Sequence, residues 1–333
     1  MSNKFKAIVI DNQNEKFTRN ISELDTTALK NGNVLVKVDY SSLNFKDALI
    51  LNNGATLVKT YPHVPGIDFS GTVESSEDAN FKKGDKIILT GFRVGEIYYG
   101  GFSQYAKVDS KFLVKLPNGI STLQSMMMGT AGFTAMLCSF AVKAREELLL
   151  GEKVNDVLVT GATGGVGSIA VMILSKMGYN VTAVTGKQDK HDFLKNLGAK
   201  NILDRKEFEG EGKLLEKGIW DGVVETVGGQ TLAKVLAQTK PTGIVAACGN
   251  AGGIKLNTSV MPFIIRGVKL WGIDSSASTI KRRLFVWDQV KNYVDLKKLE
   301  EISQILSLQE VLDIYPKMLK GGVFGRVVVD PNK

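Results

Sequence analysis

The chain is poor in the side chains that most often bind metals or form cross-links, since its 333 residues include two cysteines and two histidines. Cys138 and Cys248 cannot supply a four-cysteine zinc site or a disulfide framework. His63 lies between two prolines and His191 opens a predicted helix, so neither is expected to act in catalysis. The sequence therefore predicts no metal site and a reducing compartment, the cytoplasm.

Several catalytic and targeting patterns are also missing. No G-x-S-x-G turn and no Walker-type G-K-S/T occurs, which argues against a serine hydrolase and an ATPase. Near the N-terminus only residues 7–10 form an apolar run, which is too short for a signal peptide. Residues 116–142 carry no charge, but their proline, serine and threonine content favours a buried helix over a membrane span. We therefore expect no membrane partner.

The charge balance is mildly basic, with 42 Lys and Arg against 34 Asp and Glu and a net charge of +8. This excess favours an anionic small molecule such as a phosphate. The densest basic cluster, residues 281–283, lies in a helical pattern with Trp287 and Val290 on its apolar side. A solvated helix face is favoured there over a nucleic-acid site, so no nucleic-acid partner is expected.

The length predicts about two domains. Over the first hundred or so residues, short β-branched runs alternate with glycines, which predicts a compact β barrel or sandwich. From Asp156 onward strands and helices alternate, which predicts an α/β domain with a parallel sheet. Val268–Ile273 is a candidate edge strand, and Gly325–Val329 is expected to return to the first domain. We set the domains at 1–124, completed by 296–333, and at 125–295.

The strongest motif is a glycine-rich turn at residues 160–167, TGATGGVG, which follows an apolar strand and precedes a helix. Glycines allow a tight turn and close approach of the backbone to a pyrophosphate, which the helix N-terminus then binds. Ala162 occupies the place of the second glycine in the strict G-x-G-x-x-G pattern. The structural context favours dinucleotide binding over a plain strand-to-helix turn.

The end of the next strand distinguishes the two nicotinamide cofactors. An NAD site usually has Asp or Glu there to accept the ribose 2′-hydroxyl. This strand instead ends Val184-Thr185-Gly186-Lys187, and Asp189 comes later. Thr185 can donate to a 2′-phosphate and Lys187 can neutralise it, so NADPH is favoured over an interpretation of Lys187 as an exposed loop lysine.

Five segments resemble the medium-chain dehydrogenase/reductase superfamily. They are SSLNFKDAL at 41–49, PGIDFSGTV at 65–73, GTAGFTAML at 129–137, AACGNAGG at 246–253 and VMPFIIR at 260–266. Together they are similar to the YhdH/YhfP group of quinone oxidoreductases, which includes acryloyl-CoA reductases. The resemblance implies a Rossmann domain, that is, a doubly wound parallel sheet, and a GroES-like β-barrel domain, with NADPH in the cleft between them and no zinc.

The resemblance also implies roles for single residues. Those expected at the pyrophosphate are Thr163, Gly164, Gly165 and Val166. Those expected around the 2′-phosphate are Thr185, Gly186, Lys187 and Arg205. Those expected on the nicotinamide and ribose side are Asn250, Ile264, Ser275 and Arg326. Phe45 is expected to contact cofactor, although many relatives have Tyr at this position.

Asn44 and Asp47 form the polar pair of the first segment and are the candidate catalytic residues. Asn44 could orient substrate or cofactor while Asp47 supports the site. Alternatively, both side chains satisfy backbone groups of the loop, as Asn and Asp often do. The residues do not decide between these interpretations.

We therefore predict an NADPH-dependent reductase of an activated C=C bond, with hydride transfer to the β-carbon of an enoyl thioester such as acryloyl-CoA. The alternatives are an NADPH:quinone oxidoreductase and an NADPH-binding protein with little turnover. The partner is a small-molecule substrate, enoyl-CoA or quinone. A homodimer is expected because the apolar edge strand Val268–Ile273 would otherwise expose unpaired backbone groups.

Overall fold

The computed structural model describes residues 3–13, 16–30, 32–148 and 151–333, which divide into two compact units. The first unit comprises Met1–Thr130, Ser275–Lys291 and Leu296–Lys333, and the second comprises Ala131–Asp274 and Asn292–Asp295. The sequence-based division kept residues 275–291 in the second domain, whereas the structure packs them with the first unit. This segment buries Arg283, whose Nη1 donates to Thr90 Oγ1 at 2.6 Å.

The elements are numbered along the chain. The strands are β1 (Lys4–Gln13), β2 (Lys16–Asp25), β3 (Val34–Ser42), β4 (Asp68–Ser76), β5 (Lys86–Thr90), β6 (Tyr105–Val108), β7 (Val114–Lys115), β8 (Asp156–Val159), β9 (Asn180–Thr185), β10 (Asn201–Asp204), β11 (Trp220–Glu225), β12 (Thr239–Ala247), β13 (Lys269–Gly272), β14 (Ser303–Leu306) and β15 (Arg326–Val329). The α-helices are α1 (Phe45–Asn53), α2 (Thr122–Leu148), α3 (Gly165–Lys176), α4 (His191–Leu197), α5 (Gly229–Gln238), α6 (Met261–Arg266), α7 (Ile280–Tyr293), α8 (Leu296–Glu301) and α9 (Leu308–Leu319).

The first unit is built on β-structure. Strands β1 and β2 form an antiparallel hairpin, and a seven-stranded sheet has the order β14-β15-β3-β4-β5-β7, with β6 also paired to β3. Strand β3 shows why the sequence folds this way, because Val34, Val36 and Val38 are fully buried while Lys37 is exposed. This alternation is typical of a strand with one face in the core. Strand β15 pairs with β3, which confirms the predicted return of the C-terminal strand.

The second unit contains a six-stranded sheet of order β10-β9-β8-β11-β12-β13, in which every neighbouring pair is parallel. This is the order of a dinucleotide-binding Rossmann sheet, and it confirms the predicted fold class. The strand order reverses between β8 and β11, so a ligand is expected outside the carboxyl ends of these strands. Strand β13 lies at the edge of the sheet, as predicted for Val268–Ile273.

Helix α2 is broken at Gly129, where φ is 50° and ψ is −156°. A Cβ at this position would lie 2.5 Å from Ser42 Oγ and 2.9 Å from Arg326 Nη2, so only glycine fits the close approach. The helix is long and apolar enough to cross a membrane, but 83% of its most apolar window is buried inside the protein. This agrees with the predicted buried helix over residues 122–142.

Candidate functional site

The glycine-rich turn lies between β8 and α3 in the second unit. Gly164 is the N-cap residue of α3, and its N–H donates to Gly161 O at 2.9 Å. Gly161 has φ +56°, and a Cβ on Gly167 would lie 2.3 Å from Gly161 O. The tight turn therefore requires both glycines, and the N–H groups in the first turn of α3 have no acceptor within the helix. Such an N-terminus fits a pyrophosphate, as predicted for Thr163, Gly164, Gly165 and Val166.

The predicted 2′-phosphate residues come together at the end of β9. The Thr163 and Thr185 hydroxyls are 3.5 Å apart, and Lys187 N donates to Thr185 Oγ1 at 3.1 Å. A Cβ on Gly186 would lie 2.7 Å from Arg205 Nε, so the absence of a side chain lets the Arg205 side chain cross this turn. We call Thr185, Gly186, Lys187 and Arg205 the Thr185 group.

The charges of the Thr185 group suit an anion. The Arg205 side chain is 72% exposed and Lys187 is half-buried. Burial lowers the pKa of Lys187 from its usual value, which makes a nearby anion favourable for its charged form. The nearest following carboxylate, Asp189, is paired with Lys190 Nζ at 3.0 Å. The group thus presents cations where an NAD site would present a carboxylate.

The residues predicted for the nicotinamide side fall in both units. Asn250 is exposed after β12 and lies against the loop after β11, since its Cα is 3.0 Å from where a Cβ on Gly228 would be. Ile264 is 69% exposed on α6. Ser275, in the first unit, is half-buried, and its backbone oxygen accepts from Arg283 Nη2 at 2.8 Å. Their contacts with a cofactor stay predictions.

In the first unit, Asn44 and Asp47 form a capping box at the start of α1. Asn44 N donates to Asp47 Oδ2 at 2.9 Å, and Ile67 N donates to Asp47 Oδ1 at 2.9 Å. The Asn44 amide nitrogen also donates to Asp47 Oδ2, at 3.1 Å. Both side chains therefore satisfy backbone and side-chain groups around the helix start, which supports the second of the two interpretations, and a contact of either residue with substrate or cofactor stays a prediction.

Sequence reasoning missed the residue that completes this arrangement, Asp68 at the start of β4. Its carboxylate accepts from Ser42 N at 3.0 Å, from Asn44 Nδ2 at 3.0 Å and from Thr130 N at 2.7 Å. Arg326 Nη2 donates to Ser42 Oγ at 2.8 Å. A signal was present, because Asp68 is a charged residue in an otherwise apolar and small segment, GIDFSG. We call Ser42, Asn44, Asp47, Asp68 and Arg326 the Asp68 cluster.

The Asp68 cluster is almost completely shielded from solvent. Asp47 and Asp68 are 0% exposed and Arg326 is 2% exposed. Burial, together with the Asp68 carboxylate, raises the pKa of Asp47 to about 7. Burial lowers the pKa of Arg326, opposed by the charges of Asp68 and Asp47. The single positive charge of Arg326 offsets only one of the two negative charges, and the repulsion between the carboxylates favours a proton on Asp47.

Phe45 differs from its neighbours because its ring is 39% exposed at the first position of α1. The adjacent Lys46 pairs with the buried Glu96, with Nζ and Oε1 2.9 Å apart. The predicted cofactor contact of Phe45 is compatible with this exposure and stays a prediction.

The comparisons with known proteins agree with this geometry. Residues 30–118 match the alcohol dehydrogenase GroES-like domain, and residues 165–288 match the zinc-binding dehydrogenase family. The acrylyl-CoA reductase AcuI of Ruegeria pomeroyi is 48% identical over 98% of this chain and 99% of its own length. The crystal structure of E. coli YhdH with bound NADPH has a TM-score of 0.94 at 41% identity, covering 98% of this chain and 100% of that chain. A quinone oxidoreductase of Sus scrofa is 30% identical over 73% of each chain.

The chain therefore belongs to the medium-chain dehydrogenase/reductase superfamily, the two-domain oxidoreductases that join a GroES-like domain to a Rossmann domain. Within that superfamily it belongs with the AcuI and YhdH proteins.

One matched family is described as zinc-binding, and the side chains of this chain do not fit a zinc ion. Such a site needs at least three protein ligands. Over the described residues, no group of three or more His, Cys, Asp or Glu side chains is placed to hold a metal ion. Cys138 is buried, and so is His63, whose backbone N–H donates to Ile10 O of β1 at 2.9 Å. Zinc-independent activity stays a prediction.

Proposed function

We propose that this protein is an NADPH-dependent reductase of the C=C bond of acrylyl-CoA. The observation that carries the proposal is the full-length similarity, at 48% identity, to a protein named acrylyl-CoA reductase. The fold supports it, because a Rossmann sheet with a glycine-rich turn binds a dinucleotide whose own chemistry is hydride transfer.

The residues of the second unit fit NADPH. The N-terminus of α3 supplies backbone N–H groups and the positive end of a helix dipole to the pyrophosphate. Lys187 and Arg205 supply two positive charges to the 2′-phosphate, and the Thr185 hydroxyl supplies a donor. The missing side chains at Gly161, Gly167 and Gly186 allow the turn to pack closely and the Arg205 side chain to lie across the end of β9. The E. coli structure with bound NADPH adds support from a relative.

When bound, NADPH supplies the hydride that adds to the β-carbon of the substrate, and a proton at the α-carbon completes the saturated thioester. The chain contributes binding and orientation. The α3 N-terminus and the Thr185 group hold the two phosphate ends of the cofactor, and its binding energy there fixes the position of the nicotinamide. In the first unit, the Asp68 cluster fixes the start of α1 and with it the exposed ring of Phe45.

The test is a steady-state comparison with NADPH and three acceptors: acrylyl-CoA, an alkenal and a quinone. We expect kcat/KM for acrylyl-CoA to exceed that for the other two by at least about tenfold, a difference of 1.4 kcal/mol in transition-state stabilisation. NADPH consumption must be matched by formation of propionyl-CoA. Higher kcat/KM for the quinone would reject the proposal.

A quinone reductase is the second candidate, because the Sus scrofa relative carries that name. It uses the same cofactor, so only the acceptor kinetics separate it from an acrylyl-CoA reductase. Tight NADPH binding without turnover of any of the three acceptors would instead indicate a binding protein.

We also propose a homodimer and a cytoplasmic location. Strand β13 is an edge strand on which Leu270 is 37% and Trp271 43% exposed, and pairing with a second copy would cover its backbone groups. Light scattering at micromolar concentration tests the dimer, and a monomer would reject it. The free cysteines Cys138 and Cys248 support a reducing compartment.

A further inference from the structure

A buried carboxylate outside the predicted site lies beneath the nucleotide-binding loops. Glu225 is the last residue of β11 and is 0% exposed. Its Oε1 accepts from Thr160 Oγ1 at 3.1 Å and from Val227 N at 2.8 Å. Gly228 N lies 2.9 Å from Oε1 and 3.0 Å from Oε2. A buried charge is costly unless its oxygens are satisfied, so these donors explain how Glu225 is tolerated.

On one side, Glu225 connects to the glycine-rich turn. Thr160, whose hydroxyl donates to Glu225, precedes Gly161, the first residue of the turn with positive φ. Thr226 N donates to Thr160 Oγ1 at 2.9 Å, and Thr226 Oγ1 donates back to Thr160 O at 2.9 Å. A Cβ on Gly161 would lie 2.3 Å from Thr226 Oγ1. The start of the pyrophosphate turn is thus packed against the loop that Glu225 organises.

On the other side, the same loop contacts the segment that carries Asn250. Cys248 N donates to Glu225 O at 2.9 Å, and Gly252 N donates to Val227 O at 2.7 Å. A Cβ on Gly249 would lie 2.0 Å from Thr226 O, so the two loops touch through their backbones. The position of residues 248–253 therefore depends on the conformation of residues 225–228.

We propose that Glu225 is a positioning residue for the nicotinamide cofactor, because its carboxylate joins the loops after β8 and β11, and the β11 loop in turn holds the loop after β12 through backbone hydrogen bonds. It fixes the pyrophosphate turn and the Asn250 segment without contacting the Thr185 group. The inference rests on the proposed use of NADPH. An error of about 1 Å in the position of a bound group can cost up to about 10²-fold in rate. Losing the hydrogen bonds of the Glu225 carboxylate should therefore weaken cofactor binding and catalysis together.

Strand β11 offers a matched control at its other end. Asp221 is 5% exposed and accepts from Asn155 N at 3.1 Å and from Asp156 N at 2.9 Å. It thus joins the same two strands, β8 and β11, at the amino edge of the sheet, away from the turn. Asp221→Ala should lower stability as Glu225→Ala does, while leaving the cofactor loops in place.

The experiment measures Kd for NADPH, Kd for adenosine 2′-monophosphate and the KM for acrylyl-CoA in wild type, Glu225→Ala, Glu225→Gln and Asp221→Ala. For Glu225→Ala we expect a rise of at least about tenfold in the NADPH Kd. We expect the Kd for adenosine 2′-monophosphate and the KM for acrylyl-CoA at saturating NADPH to change less than twofold. Glu225→Gln keeps one acceptor oxygen and should show a smaller rise in the same direction. Asp221→Ala should keep the wild-type NADPH Kd.

The outcomes separate the two proposals. If wild type does not bind NADPH, the proposed function fails. If wild type binds NADPH and the folded Glu225 variants bind it equally well, the role of Glu225 is refuted. An equal weakening in Asp221→Ala also refutes it, because general destabilisation then explains the effect. If Glu225→Ala does not fold, Glu225→Gln alone decides, and an unchanged NADPH Kd refutes the role.

Discussion

The Asp68 cluster of the first unit and the Thr185 group of the second differ in how they expose their charged side chains. In the Asp68 cluster, the carboxylates are 0% exposed, and they accept hydrogen bonds from the protein itself. In the Thr185 group, the Arg205 side chain is 72% exposed and lies over a glycine that leaves room for it. The first arrangement stabilises a helix start, and the second places two cationic side chains near the surface, where Arg205 Nε also lies 3.7 Å from Glu209 Oε1.

A charged residue in a candidate site can therefore have either of two roles, one in the structure and one in ligand binding. A buried charge whose partners are all internal fixes the position of neighbouring groups, and removing one of its partners is strongly destabilising. A charge that lies half-exposed beside a glycine turn contributes to ligand affinity. Mutations in the Asp68 cluster should therefore change the free energy of unfolding, and mutations in the Thr185 group should change the affinity for the cofactor.

The largest effect is expected for stability at Asp68. Asp68→Ala removes the acceptor of Ser42 N, Asn44 Nδ2 and Thr130 N and leaves the Arg326 charge buried. Each buried donor left without an acceptor costs about 1–3 kcal/mol, so losing the acceptor of these three should lower the free energy of unfolding by about 3 kcal/mol or more. Urea denaturation measures it. Glu74→Gln, on the same strand but in an exposed pair with Lys83, should cost less than about 1 kcal/mol, and an equally small loss for Asp68→Ala would contradict the prediction.

The next effect is a pH dependence carried by Asp47. Its pKa of about 7 lies above the value of about 3.9 expected in the unfolded chain, so the folded protein holds an extra proton between these values. This contribution to stability is complete below about pH 4 and is lost as the pH rises to about 7. At about 1.4 kcal/mol per unit, the loss is at most about 4 kcal/mol.

Asp47→Asn removes this titration and keeps one acceptor oxygen. The measurement is the free energy of unfolding of wild type and variant from pH 4 to pH 8. We expect the wild type to lose stability relative to the variant as the pH rises to about 7. Parallel curves would show that Asp47 is already ionised at pH 4 in the folded protein.

Much of the second unit could be predicted from the sequence, because its signals are local. The apolar run 157–159 leads directly into the turn, and the cationic segment that follows β9 is read from only a few consecutive residues, Val184-Thr185-Gly186-Lys187. The edge position of β13 and the return of β15 also followed from pattern and order. Parallel sheets produce such continuous apolar runs, which makes their strands easy to locate.

The parts that were missed are of two kinds: elements whose local signal is weak or was overlooked, and buried carboxylates whose partners are distant in sequence. Strand β2 was missed because its residues, KFTRNISELD, are mostly polar and none of them is fully buried. Helix α9 was missed although Ser307 and Glu310 form a capping box, a pattern that the sequence does show. The Asp68 carboxylate accepts from Ser42 N, 26 positions away, and Glu225 accepts from Thr160 Oγ1, 65 positions away, and no local pattern marks such partners.

A smaller effect, and one on affinity instead of stability, is expected at Lys187. Lys187→Glu replaces a cation of the Thr185 group by an anion, and a hydrogen bond to a charged group contributes about 1.5–3 kcal/mol. The KM for NADPH should rise about 10- to 150-fold, while the KM for NADH changes little. Lys195→Glu, at a lysine 64% exposed on α4, is the control and should leave both values unchanged. Equal effects of Lys187→Glu on the two cofactors would reject the 2′-phosphate assignment.

The smallest effect is expected at Phe45, whose exposed ring follows Asn44 of the buried Asp68 cluster in the chain. Its ring is 39% exposed, so the added hydroxyl of Phe45→Tyr can reach solvent and should change the free energy of unfolding by less than about 0.5 kcal/mol. Phenylalanine has no ionisable group, so this enzyme cannot use position 45 as its proton donor. If the ring serves only packing or cofactor contact, kcat with acrylyl-CoA should change less than about tenfold, or 1.4 kcal/mol, at an unchanged NADPH Kd. A much faster Phe45→Tyr variant would instead show that proton delivery at this position limits the wild-type reaction, and that an exposed side chain beside the Asp68 cluster lies within reach of the reacting carbon.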